Sequence, residues 1–305
     1  MGFELSDFGG QFITTKPLFE AGRTLSGVSA YLQWFKPVIS RKVSVTFVHG
    51  GGGQGSEFLR TPDGRPGWAH AFLKAGFIVN ILDRPGHGRN YWNAVALGES
   101  TPPPSYETIM PRFVDVAVSG LWPAAKLHHM WPDEEEARHR FMASQGPMPI
   151  SLSAAQRHIE AIAPALFDVV GDTVLVTHSA GGPCGWALSA CGGKLVKAIV
   201  AVEPLGAPGM SHALGSFDNG LCAESFIGSH DAYAPPIAVV TADATWMRES
   251  NLEVVNFLHS RGADVTHLDL PKSGIYGNGH MMMSEKNSDQ IADVILNWIE
   301  EAGVA

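Results

Sequence analysis

One stretch of the sequence decides the fold class: Val174-Leu175-Val176-Thr177-His178-Ser179-Ala180-Gly181-Gly182. Its first four residues are apolar or β-branched, which is typical of a buried strand. A helix predicted from Gly182 to Ala190 follows the serine almost at once. This is the setting of the Gly-x-Ser-x-Gly turn, which lifts a serine hydroxyl clear of a sheet. Gly181 fills its last position and Thr177 replaces its first glycine. We therefore predict Ser179 as a nucleophile, against the alternative of a serine that only caps the helix.

Strands and helices alternate on both sides of this stretch, after an opening segment, Phe12 to Lys36, that indicates further strands. The predicted strands are Val43–Val48, Phe77–Leu82, Asp172–Thr177, Val196–Val202, Ile237–Thr241 and Asp264–Leu270. The predicted helices are Trp68–Ala75, one capped by Ser151 or Ser153, Gly182–Ala190, Arg248–Arg261 and a last one through Ile291–Ile299. The alternation predicts an α/β protein with a mostly parallel central sheet and helices on both faces.

The alternation breaks between residues 93 and 149. Prolines interrupt this segment, and Trp122, Met130 and Trp131 lie among short helical stretches. A disordered linker would contain fewer aromatic and apolar residues. We predict that residues 93–149 form a cap inserted over the functional site, and that residues 1–92 and 150–305 form the core.

A serine nucleophile needs a base, and the candidate is His280. It lies between the last predicted strand and the last helix, where the chain order Ser–acid–His places the histidine. His178 adjoins the serine and is expected to point elsewhere. The acid that orients the histidine is either Glu203, after strand Val196–Val202, or Asp243, after the next strand. The residues alone leave both open.

Backbone N–H groups that bind a developing oxyanion are the remaining requirement of this chemistry. Ala180 follows the nucleophile and supplies one of them. The glycine-rich turn after strand Val43–Val48 supplies the other, from Gly51 or Gly52. A phosphate-binding loop is excluded there, because the Gly-Lys-Ser/Thr ending is missing. No histidine or cysteine spacing indicates a metal site.

Composition excludes several classes of function. The chain has 305 residues, 45% of them hydrophobic, and a formal charge of −9 without a Lys/Arg run, so no nucleic-acid partner is expected. Three sparse cysteines, Cys184, Cys191 and Cys222, are interpreted as buried apolar residues rather than a disulfide framework. We expect no membrane span, no signal peptide and a cytoplasmic location.

The sequence resembles the α/β-hydrolase superfamily over nearly its whole length. Two longer motifs resemble a small group of bacterial carboxylesterases, the esterase 713 type: Thr61-Pro62-Asp63-Gly64-Arg65-Pro66-Gly67-Trp68, and Gly277-Asn278-Gly279-His280-Met281-Met282-Met283 with Asn287 and Gln290–Asp293. The resemblance implies a Ser–His–Glu triad whose glutamate lies in a Val-Glu-Pro context, which favours Glu203. It also implies ester hydrolysis without a cofactor and allows a homodimer. Members of the group carry adjacent cysteines where this chain has Gly51 and Gly52.

The sequence therefore predicts a serine hydrolase that cleaves carboxylic esters of small molecules, with lactones as a related substrate class. Trp122, Trp131, Met281 and Met282 are candidate pocket residues, with core packing as the alternative for each. Two other functions stay open: carbon–carbon bond cleavage in diketone-like substrates by the same triad, and ligand binding without catalysis. Dehalogenase and epoxide-hydrolase chemistry would require an aspartate in place of Ser179.

Overall fold

A central sheet of eight strands organises the protein. The computed structural model describes residues 4–207, 210, 213–214, 217–218 and 231–304. The strands of the large sheet are β1 Leu5–Thr14, β4 Ser29–Pro37, β5 Ser44–Val48, β6 Val79–Asp83, β7 Thr173–His178, β8 Val196–Val202, β11 Ile237–Thr241 and β12 Val265–Asp269. Two short hairpins pair β2 Leu18–Glu20 with β3 Arg23–Leu25, and β9 Ala213–Leu214 with β10 Phe217–Asp218.

The order of the strands in the large sheet is β1-β4-β6-β5-β7-β8-β11-β12. The last six are parallel, and β4 runs antiparallel to β1 and β6. Parallel strands bring their carboxyl ends to one edge of the sheet, where α/β proteins place their ligands. The loops after β5, β7, β8 and β11 therefore meet at that edge.

Helices cover both faces of the sheet. The α-helices in the described ranges are α1 Trp68–Lys74, α2 Ala94–Leu97, α3 Tyr106–Phe113, α4 Val116–Ser119, α5 Glu135–Ala143, α6 Leu152–Val170, α7 Gly181–Gly192, α8 Arg248–Ser260 and α9 Ser288–Glu301, of which α1 and α9 cover one face and α6, α7 and α8 the other. Of the two predicted caps for α6, Ser151 is the one used: its hydroxyl accepts the N–H of Ala154 at 3.1 Å.

Alternation along each buried strand divides the hydrophobic core into two clusters. In β7, Val174 and Val176 face the cluster that contains α1 and α9, whereas Leu175 faces the cluster of α6, α7 and α8. Because both faces are covered, β5, β6, β7 and β11 are buried along their whole length and rich in apolar and β-branched residues, as expected for a parallel sheet. The observed layers match the predicted arrangement.

The segment predicted as a cap contains α2 to α5 and packs onto the edge of the sheet where the strands end. The Trp122 indole N–H donates to the carbonyl of Ala244 at 2.9 Å, and the backbone N–H of His129 donates to Gly277 at 3.0 Å. The segment is therefore tied to two loops of the core. Its extent as a separate cap, residues 93–149, stays a prediction.

The structure bears on the expectations for membrane spans, metal sites and cysteines only in the residues that it describes. Within the described ranges, no helix is both long and apolar enough to cross a membrane. In the same ranges, no group of three or more His, Cys, Asp or Glu side chains could hold a metal ion. Cys184 is buried and Cys191 half-buried, whereas Cys222 lies outside the described residues.

Candidate active site

Ser179 lies on the sharp turn between β7 and α7, in the left-handed backbone conformation with φ 53°. Its N–H donates to the carbonyl of Val202 at 3.0 Å, and its own carbonyl accepts the N–H groups of Gly182 and Leu205. Gly181 is required by close packing, because a Cβ there would lie 2.5 Å from the carbonyl oxygen of His49. The local geometry is that of the predicted strand–serine–helix turn.

The threonine that replaces the first glycine of the pattern is accommodated by a second glycine further along. A Cβ on Gly185, one turn into α7, would lie 2.6 Å from the Cγ2 methyl of Thr177. The missing side chain of Gly185 therefore gives the Thr177 methyl its space. This compensation keeps helix and strand in close contact despite the departure from the pattern.

His280 lies in the loop between β12 and α9 and is 1% exposed. Its Nδ1 is 2.6 Å from Oε2 of Glu203. Its Nε2 is buried and has no hydrogen-bond partner among the described residues. His280 and Ser179 line the same cavity. Glu203 therefore holds Nδ1 of the ring, and Nε2 is left without a partner among the described residues.

Glu203 follows β8 directly and is fully buried, with a left-handed backbone of φ 44°. Besides His280, two groups donate to its carboxylate: the backbone N–H of Ala242 at 3.0 Å and the hydroxyl of Thr245 at 2.6 Å. Burial is the largest cause and raises the pKa of Glu203 above its ordinary value, whereas these two donors oppose it by stabilising the ionised form. The carboxylate is thus satisfied on both oxygens, as an orienting acid must be.

Burial is also the main cause of the shift at the histidine. It holds the pKa of His280 below the ordinary value of 6.5, because the charged imidazolium loses its hydration. The carboxylate of Glu285 acts in the opposite direction. A neutral imidazole at neutral pH is the form that can accept a proton.

Asp243, the other acid considered from the sequence, does not contact His280. Its two carboxylate oxygens accept the N–H of Gly277 at 2.9 and 3.1 Å. Asp243 therefore holds the start of the loop that carries His280, and the structure pairs the histidine with Glu203 alone.

The glycine loop after β5 forms one wall of the cavity, and Gly51, Gly52 and Ala180 all line it. The carbonyls of Gly50 and Gly51 accept from Nη2 of Arg84, and the carbonyl of Gly52 accepts the N–H of Gly146 at 2.7 Å. Among the described residues, none accepts a hydrogen bond from the N–H groups of Gly51, Gly52 or Ala180. Within that part of the chain, these three N–H groups are left without an acceptor next to the cavity.

Several residues at the site were missed by sequence reasoning. His178 was expected to point elsewhere, but it lines the cavity and its Nε2 lies 3.0 Å from the carbonyl oxygen of His280. Arg84 lies in the turn after β6, and its guanidinium donates to the carbonyls of Gly50 and Gly51 in the glycine loop. No sequence pattern indicates a role for Thr245, since only the fold brings its hydroxyl to Glu203. Of these three residues, only His178 is adjacent to Ser179 in the sequence, and this adjacency is a signal for a place at the site.

A second buried carboxylate supports the histidine loop. Glu285 is fully buried and accepts from the N–H of Gly279 at 2.9 Å and from Nδ2 of Asn278 at 2.6 Å. Nε2 of His128, from the segment predicted as a cap, lies 2.8 Å from the same carboxylate. The loop that carries His280 is thereby joined to that segment through buried hydrogen bonds.

The cavity has a volume of about 570 Å³ and a largely apolar lining. Of the four predicted pocket residues, only Met281 lines it. The other three lie elsewhere: the Trp122 indole donates to Ala244, Trp131 packs edge-on against Phe141 at 5.1 Å, and Met282 is fully buried in the core. Aromatic side chains that line the cavity instead are Phe113, Phe141 and Trp246.

Comparison with known proteins identifies the fold. No protein-family model matches the chain. It is 29% identical over 331 residues to a curated protein named probable secreted lipase phiG, from a fungal species (strain ATCC 74256), with 93% of this chain and 89% of the relative covered. The structure superposes on a bacterial esterase with a TM-score of 0.69 and 23% identity, covering 99% of this chain and 98% of that one. An esterase of Pyrobaculum calidifontis gives a TM-score of 0.51 at 14% identity, covering 99% and 87%.

These likenesses confirm the α/β-hydrolase fold predicted from the sequence. The chain resembles bacterial esterases of the esterase 713 type, which confirms the resemblance drawn from the two longer motifs. The cytoplasmic location stays a prediction, since the fungal relative is named as a secreted protein.

Proposed function

We propose that this protein is a serine esterase that cleaves carboxylic esters, and by the same steps lactones, with Ser179, His280 and Glu203 as its triad. One observation carries the proposal. A buried imidazole is held on one nitrogen by a buried carboxylate, at 2.6 Å, and leaves its other nitrogen unpartnered among the described residues. His280 and Ser179 line the same cavity. The names of the relatives, a lipase and two esterases, support the same reaction.

The reaction follows from the roles of these groups. Nε2 of His280 accepts the proton of the Ser179 hydroxyl as the oxygen attacks the ester carbonyl. The tetrahedral oxyanion is stabilised by N–H groups of Ala180 and of the Gly51–Gly52 segment. His280 then gives its proton to the alcohol, which leaves an acyl group on Ser179. Water attacks this acyl-enzyme with His280 again as base, and the acid is released. Glu203 orients the ring and stabilises the imidazolium.

The test is esterase activity together with covalent labelling. Wild type should hydrolyse p-nitrophenyl butyrate and bind one organophosphonate per chain at Ser179. The variant Ser179→Ala should lose at least about 10³-fold in kcat and take up no label, because no nucleophile remains. Ser260→Ala, at an exposed helix end, is the matched control and should keep both. An unlabelled, inactive wild type would overturn the proposal in favour of a binding protein, and activity on diketones alone would indicate the carbon–carbon hydrolase.

A further inference from the structure

One buried carboxylic acid at the cavity has no place in the mechanism above. Glu57 lies in a turn of 3₁₀ helix, Gly55–Phe58, shortly after the glycine loop, and it lines the cavity that contains Ser179. Polar side chains at the cavity such as Ser105, Thr108 and Arg112 are exposed, whereas Glu57 is 9% exposed. Glu57 is therefore a buried polar side chain in the wall of a largely apolar cavity.

The carboxyl group of Glu57 is incompletely satisfied. Its Oε1 is buried and has no hydrogen-bond partner among the described residues. A Cβ on Gly53, which lines the cavity, would lie only 2.3 Å from this oxygen, so the carboxyl group occupies the place of the missing side chain. Buried polar atoms are almost always hydrogen-bonded, and exceptions often occur at functional sites. A ligand in the cavity is a partner that would satisfy this oxygen.

The protonation state of Glu57 decides which chemistry it can recognise. Burial raises its pKa to about 8, although Arg84 and the backbone of Gly50 and Gln54 lower it, and Asp83 raises it further. On its other side, Glu57 lines a neighbouring cavity of about 310 Å³, at which Arg60 and Arg140 lie as exposed cations. Glu203 is hydrogen-bonded to an imidazole that favours its ionised form, whereas no basic side chain among the described residues is hydrogen-bonded to Glu57. The raised pKa therefore makes Glu57 a neutral acid at pH 7, and its O–H is a hydrogen-bond donor.

We propose that Glu57 is a specificity-determining residue of the esterase, which donates a hydrogen bond to a second oxygen acceptor of the substrate, such as a keto or ether oxygen near the scissile ester. The inference rests on the proposed function and narrows its substrate class. An acceptor without protons suits a neutral acid, because the acid can donate to it. A purely alkyl substrate leaves the buried oxygen unpartnered. The acceptor lies in either the acyl or the alcohol half of the ester.

The test compares substrates of matched shape in which a carbonyl group replaces a branched carbon. For the acyl half, the pair is p-nitrophenyl 4-oxopentanoate and p-nitrophenyl 4-methylpentanoate. For the alcohol half, the pair is 2-oxopropyl acetate and 2-methylpropyl acetate. The readout is the keto-to-alkyl ratio of kcat/KM, corrected by the ratio of the rates without enzyme. In one pair this ratio should be about tenfold higher in wild type than in Glu57→Leu, the effect of one hydrogen bond. Glu57→Gln should restore the ratio, because an amide also donates.

A pH profile of wild type makes the same test without any substitution. The ratio should fall as pH rises through about 8, because the carboxylic acid loses its proton and the resulting carboxylate repels the acceptor. In Glu57→Gln the ratio should stay flat. Equal ratios in wild type and Glu57→Leu for both pairs, or a flat wild-type profile, would overturn the inference. If phosphonate still labels Ser179 and alkyl esters are still cleaved in that case, the proposed function stands. An inactive, unlabelled wild type would remove both.

Discussion

Two neighbouring loops at the edge of the sheet each begin with a carboxylate close to the end of a strand, yet the two carboxylates have different partners. Glu203, after β8, is fully buried and pairs with His280. Asp243, after the adjacent β11, is half-buried and accepts the N–H of Gly277. The loop after β11 also donates to Glu203 through Ala242 and Thr245. One loop thus supplies the acid, and its neighbour supplies the donors that hold it.

The difference teaches that position after a strand does not by itself identify an orienting acid. A carboxylate in that role has to be buried, supplied with donors and directed at the ring. Only Glu203 combines the three. The substitutions below test whether the two loops differ in function as they do in geometry, with p-nitrophenyl butyrate as the substrate.

The largest effect is expected for Glu203→Gln. The amide cannot stabilise the imidazolium and its NH₂ group favours the wrong tautomer of the ring, so kcat should fall by about 10³- to 10⁴-fold. The measurement is kcat and KM together with phosphonate labelling. A loss below about tenfold would contradict the pairing of Glu203 with His280 as the functional one.

Thr245→Val should have an intermediate effect. It removes the hydroxyl that donates to Glu203 at 2.6 Å, and a lost hydrogen bond to a charged group should lower kcat by about tenfold or more. Thr241→Val is the matched control, because that buried hydroxyl is 3.1 Å from His267 instead. Equal losses in both variants would assign the effect to general destabilisation.

Asp243→Asn should change kcat by less than about threefold. The asparagine oxygen can still accept the N–H of Gly277, and His280 keeps Glu203. The free energy of unfolding should fall by about 1 kcal/mol at most, because one hydrogen bond is weakened. Urea unfolding measures this loss. A fall in kcat as deep as that of Glu203→Gln would transfer the acid to the β11 loop.

The smallest change is expected in the pH dependence of wild type. A histidine whose pKa is lowered stays neutral at pH values below the ordinary histidine pKa. His280 should therefore still accept a proton from Ser179 at pH 5.5. We expect kcat/KM at pH 5.5 to be within about twofold of its value at pH 7.5, whereas an exposed histidine base would lose about tenfold. Asp243→Asn should give the same profile. An acidic limb centred at pH 6.5 or above would contradict the effect of burial on the ring.

The sequence predicted much of the sheet because its strands are buried on both faces. Val196–Val202 and Ile237–Thr241 have the predicted bounds. Both runs are rich in β-branched and apolar residues, as is typical of parallel strands covered on both faces. The strand predicted from Phe77 begins at Val79 instead. The elements that position Ser179, His280 and Glu203 followed from chain order and from the resemblance, and the catalytic roles of these residues stay predictions.

The rest of the site depends on contacts between distant parts of the chain. The directions of Trp122 and Trp131 are set by a carbonyl of another loop and by a neighbouring phenyl ring, which no local pattern reveals. The same holds for Gly185, which makes room for Thr177, and for Glu57, whose burial depends on the packing around the glycine loop. Local periodicity indicates which face of an element is buried, but it does not indicate what lies against that face.

The left-handed backbone at Ser179 has a consequence for the evolution of the protein's stability. A side chain other than glycine is disfavoured at that φ, by about 1–2 kcal/mol. Glycine would relieve this penalty but would remove the hydroxyl. Selection for thermal stability alone would therefore favour glycine over the proposed nucleophile, and we expect the serine to persist only where its proposed chemistry is under selection. At position 179, a single residue thus combines a cost in folding stability with the proposed catalytic activity.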